Sequence, residues 1–154
     1  MSKYMLKNYS VNVSERNKYK YFLIIFTYVA LIGCGHYIAP YNETAYQNAT
    51  DLKVDSLAVI AKAIEPYLDH AKEVDSLMIN IDQAYEFAKG LPKNDIVTKQ
   101  WEIMLDPDGN MLGGFIKKWK NDVQLNKVFV EEMNGQVSQG FDQIIELESA
   151  KIKE

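Results

Sequence analysis

Residues 57–88 read LAVIAKAIEPYLDHAKEVDSLMINIDQAYEFA and place apolar groups at Leu57, Ile60, Ile64, Tyr67, Ala71, Val74, Met78, Ile81, Tyr85 and Ala88. Alternating steps of three and four are the repeat of a helix that packs one stripe against other helices. Lys53, Lys62, Asp69, Lys72, Glu73, Asp75 and Asp82 fall off that stripe and keep the opposite face wet. Pro66 sits inside the pattern, removes a backbone donor and holds Glu65 back from ideal helical geometry. The spacing therefore predicts one long kinked helix, or two nearly collinear pieces, starting between residues 42 and 45 and stopping at Gly90 before Leu91-Pro92.

Downstream, Asn94 or Asp95 caps a shorter helix over residues 96–105, with Ile96, Val97, Trp101, Met104 and Leu105 on its apolar face. Asp106-Pro107-Asp108-Gly109-Asn110 then breaks the chain with turn chemistry. A calcium loop of the EF-hand kind needs Gly at the sixth position and Glu at the twelfth, where Met111 and Lys117 stand, so the stretch reads as a turn. Leu112, Phe115, Ile116 and Trp119 form a further amphipathic helix, and Gly113-Gly114 is either a point of close backbone approach or a loose helix start. A last helix over residues 126–151 repeats the rhythm at Val130, Met133, Val137, Gly140, Ile144 and Leu147, with Phe129, Phe141 and Ile145 broadening the face. Gly135 and Gly140 inside it point to close helix contact or to local fraying. No run alternates as a strand does, so the expected fold is all-α, a small antiparallel helical bundle.

The whole chain has 154 residues, enough for one core, and its 47% hydrophobic and 25% charged residues exclude disorder and a multi-span membrane protein. One cysteine excludes an internal disulfide and a Cys-rich zinc site. A formal charge of −4 with no basic face beyond the first twenty residues argues against nucleic acid as a partner.

The first twenty residues carry Lys3, Lys7, Arg16, Lys18 and Lys20 against Glu15, and residues 21–33 (YFLIIFTYVALIG) carry no charge. A basic leader followed by thirteen apolar residues matches a signal peptide and is short of the roughly 20 residues that span a bilayer. At its end stands Leu31-Ile32-Gly33-Cys34, with the sole cysteine last. This tetrapeptide resembles the lipobox of bacterial lipoprotein precursors. The resemblance implies that Cys34 receives a diacylglyceryl group through its sulfur. It also implies cleavage before Cys34, with Leu31, Ile32 and Gly33 serving processing, and acylation of the new N-terminus. On that reading residues 1–33 are a cleaved signal segment, 34–42 a lipidated tether and 43–154 the bundle. Gly35, where an Asp would favour inner-membrane retention, favours the outer membrane if the organism has one. The uncharged stretch continues to Asn42, 22 residues in all, so an uncleaved anchor is the alternative; Gly33, Gly35, His36 and Pro40 make its second half a poor membrane helix. The leader is long for the class, and Met5 is a second candidate start. Residues 92–149 in turn look similar to small exported bacterial helical proteins of uncharacterised function, a likeness that implies no activity.

Without residues 1–33 the remainder holds 12 basic and 20 acidic residues, a net −8. An acidic body is repelled by anionic head groups and suits a basic envelope protein. Chemistry is sparse. His70 with Glu73 one turn away and Asp69 beside it supplies two metal ligands and no visible third, and the reading of His70 is structural. Asp142 and Glu146, spaced i,i+4, together with Glu131, Glu132 and Glu148, read as wet helix faces. Trp101, Trp119, Phe115, Phe141, Tyr67 and Tyr85 read as core rather than as a ligand groove. No phosphate-binding glycine loop is present and no cofactor is expected. The expected function is a membrane-anchored lipoprotein acting as a non-catalytic binding or structural module of the cell envelope. The alternatives are an inhibitor or immunity-type lipoprotein against an envelope hydrolase, and a small metal-dependent hydrolase using His70.

Overall fold

Pro66 decides the topology. In the computed structural model, which describes residues 39–153, the stretch quoted above is not one kinked helix. It is α1 (Glu43–Ala61), a 3-10 turn (Lys62–Ile64) and α2 (Tyr67–Gly90). The 19 and 24 residues of these helices make rods of roughly 28 and 36 Å. Ala39 N–H nevertheless donates to Lys93 O at 3.0 Å, so the chain folds back at Pro66 into a hairpin. Glu65 is extended at ψ 164° and Pro66 at ψ 132°, the geometry that a proline and its predecessor favour, and this reverses the direction rather than bending it. Leu31, Ile32, Gly33 and Cys34, with the rest of the signal segment, lie outside the described residues.

Three further helices follow: α3 (Asp95–Leu105), α4 (Leu112–Asp122) and α5 (Lys127–Ala150), and there is no strand among the described residues. The architecture is an all-α bundle. Lys53 of α1 meets Asp142 of α5 at 2.5 Å while Leu57 O accepts from Asn134 Nδ2 at 3.2 Å, so the two helices run antiparallel. Asn42 caps α1 by accepting from Ala45 N–H at 3.1 Å, and Asn126 caps α5 by accepting from Phe129 N–H at 2.9 Å.

The fold-back resets the apolar phase. Ile60, Tyr67, Val74, Ile81 and Ala88 are buried as the periodicity predicts, but Ile64, on the joint, is 47% exposed. Ala49, Leu52, Val59, Leu77 and Ala84 join the core. In α3, Val97, Trp101 and Met104 are buried while Ile96, expected on the apolar face, is 61% exposed. Trp101 packs edge-on to Phe141 with centroids 5.8 Å apart, and Trp119 edge-on to Tyr67 at 5.4 Å, so Trp101, Trp119, Phe115, Phe141 and Tyr67 are core as expected while Tyr85 is half-buried.

Gly113 and Gly114 are points of close approach. A Cβ on Gly113 would lie 2.1 Å from Leu105 O, and one on Gly114 1.9 Å from Gly109 O. The α3–α4 turn thus folds over the start of α4 backbone to backbone. Gly140 admits the terminal methyls of Met104 and Met111, whereas Gly135 faces nothing within 4 Å and has no packing reason to be glycine. In urea unfolding, Gly114→Ala should lose about 3 kcal/mol by overpacking, while Gly135→Ala should gain about 1 kcal/mol through helix propensity.

Candidate functional site

Where the chain enters the bundle, Lys151 Nζ donates to Glu148 Oε2 at 2.8 Å and to Asn94 Oδ1 at 2.7 Å. The two charged side chains are 2% and 1% exposed. Asn94 Nδ2 donates in turn to Ala88 O at 2.9 Å, so its amide links the ends of α2 and α5 instead of capping α3. Glu148 is therefore not on a wet face. It lies four residues beyond Ile144 and seven beyond Phe141, on the buried stripe itself, a continuation that Leu147 masks in the sequence. Its Oε1 is buried with no hydrogen-bond partner among the described residues. A pair this dry contributes little net stability, yet removing one partner strands a buried charge.

His70 sits near the joint between α1 and α2. Its Nε2 donates to Glu65 Oε2 at 2.6 Å, and Nδ1 lies 3.8 Å from Glu73 Oε2. The imidazole also rests beside the Trp119 ring, with centroids 5.9 Å apart. Lys62 Nζ takes the other Glu73 oxygen at 2.5 Å and holds that carboxyl below its ordinary pKa. Asp69 stays exposed and is not brought in. Among the described residues, no cluster of three or more His, Cys, Asp or Glu side chains is arranged to hold a metal ion. Asp142 pairs with Lys53 across helices rather than with Glu146.

The same end carries a feature that the sequence did not signal. Val123 has φ 69° and ψ −51°, and Gln124 N–H donates to Asp122 O at 2.8 Å, which makes Val123 the centre of a strained γ-turn. A β-branched residue is costly there. Two bonds to the α1–α2 joint enforce it: Tyr67 N–H donates to Val123 O at 2.7 Å and Leu125 N–H to Ala63 O at 2.8 Å. Around this tip Ile64, Leu68, Val123 and Val128 are 47%, 82%, 55% and 64% exposed. Beside them Ala61, Ile64, Lys127, Val130, Glu131 and Asn134 line a cavity of about 300 Å³. Backbone strain and exposed apolar side chains thus meet at one end of the bundle.

Lys151→Met should lower stability by about 3–5 kcal/mol by stranding Glu148, and adding Glu148→Leu should recover most of it; thermal melts of the single and double variants check this. Val123→Gly should raise stability by about 1 kcal/mol through relief of the turn, read from the urea midpoint. Compared with protein-family models, curated proteins and solved structures, the chain matches none.

Proposed function

We propose that the protein is a membrane-anchored extracytoplasmic lipoprotein, a non-catalytic binding or structural module of the bacterial envelope. One observation carries the reading: the only cysteine closes the apolar run 21–33 in the tetrapeptide Leu31-Ile32-Gly33-Cys34. Sulfur is the side-chain atom suited to alkylation at neutral pH, and Gly33 leaves room for a peptidase at the bond before it. Three acyl chains then anchor the protein firmly, where one chain alone binds marginally.

The helical body begins nine residues after Cys34, with α1 starting at Glu43. Its net −8 favours a basic envelope protein as partner, met through charge steering at long range and apolar contact at short range. The tip bearing Ile64, Leu68 and Val123 offers the apolar contact.

Intact mass spectrometry of the membrane fraction tests the reading. The expected wild-type mass is that of residues 34–154 plus lipid, and Cys34→Ser should lose both the lipid and the cleavage. An unmodified full-length mass in both would make residues 21–42 an uncleaved anchor or a buried segment.

A further inference from the structure

We infer that the end of the bundle at which the chain enters, marked by Tyr41, Ile96 and Ile152, is seated on the lipid surface, with the Val123 tip held away from it. The inference rests on the lipoprotein reading and adds an orientation to it.

Reach is the first consideration. The five residue steps from Cys34 to Ala39 span at most about 18 Å fully extended, less than the roughly 28 Å length of α1. No slack follows, because Ala39 is 2% exposed and its N–H is bonded to Lys93 O. A lipid on Cys34 therefore keeps this end of the bundle, and not the Pro66 end, within touching distance of the head groups.

The surface there suits the interface. Tyr41, Ile96 and Ile152 are 38%, 61% and 62% exposed, on three segments that converge where Asn94 and Lys151 are bonded. Ile96 is the residue that left the expected apolar face of α3, and Ile152 follows directly on the buried Lys151. Tyrosine favours the head-group layer, with its ring toward the acyl chains and its hydroxyl in water. Aliphatic side chains beside it add apolar area at the depth that interfacial elements reach.

Tether and apolar rim point the same end down. The strained tip is then presented to the aqueous compartment.

The test uses the full chain, purified in its native processed form and reconstituted in phosphatidylethanolamine–phosphatidylglycerol vesicles containing nitroxide-labelled lipid. Cys34 is the sole cysteine, so lipidation leaves Ile96→Cys, Ile152→Cys and Leu68→Cys as single labelling sites for a polarity-sensitive fluorophore. Blue-shifted emission quenched by the nitroxide lipid at positions 96 and 152, and absent at 68, is the expected result. No quenching at 96 and 152, or equal quenching at 68, overturns the orientation. A blue shift at 96 and 152 without nitroxide quenching overturns it too, because protein then covers that end. Labelling of Cys34 itself in the wild type is a different failure, that of the lipoprotein reading.

Discussion

Two backbone hydrogen bonds, from Tyr67 N–H to Val123 O and from Leu125 N–H to Ala63 O, join two places where the chain reverses around one core. Pro66 opens the first reversal by denying the chain a helical donor and pushing Glu65 and itself into extended geometry. That would leave Ala63 O and the first donor of α2 without partners on a buried boundary. The segment between α4 and α5 satisfies both, and to reach them it bends through an unfavourable γ-turn at Val123. Trp119 reinforces the same joint, with its indole N–H on Glu65 O at 3.0 Å and its ring against Tyr67.

At the other end the closure is polar. Lys151 bridges Glu148 and Asn94, and Asn94 reaches back to Ala88, so the ends of α2 and α5 and the start of α3 are bound through three side chains. Burial of an ion pair is a poor source of net stability but a strict one of geometry, since each alternative packing leaves a charge unpaired in a dry place. Between the two ends the core is aromatic and aliphatic, with Trp101 on Phe141 and glycines where Leu105 and Gly109 must approach α4.

The two ends differ in a way that bears on the proposed role. The end of chain entry is rimmed by separated apolar side chains. The tip carries backbone strain, exposed apolar groups and a cavity. On the lipoprotein reading these become an interfacial foot and a presented surface, and the body between them supplies an acidic field. The His70 cluster belongs to the tip and acts there as a brace, tying Glu65 of the joint and, through Lys62, Glu73 of α2.

Much of this was legible in residue order. The three-four rhythm specifies helices because only a 3.6-residue repeat gathers those side chains on one face. Asn42 and Asn126 mark helix starts and the stretch from Asp106 to Asn110 marks a turn, because each is a local chemical requirement met by near neighbours. Tertiary structure alone decided the rest. Whether Pro66 kinks or reverses the chain depends on a partner some sixty residues away that accepts the freed bonds. Whether Glu148 or Leu147 faces inward depends on Lys151 and Asn94 being there to meet the charge. The strain at Val123 and the exposure of Ile64 and Ile96 follow from contacts distant in sequence. Local propensity and periodicity carry no record of such contacts, and so the helices could be read from the sequence while the joint that assembles them could not.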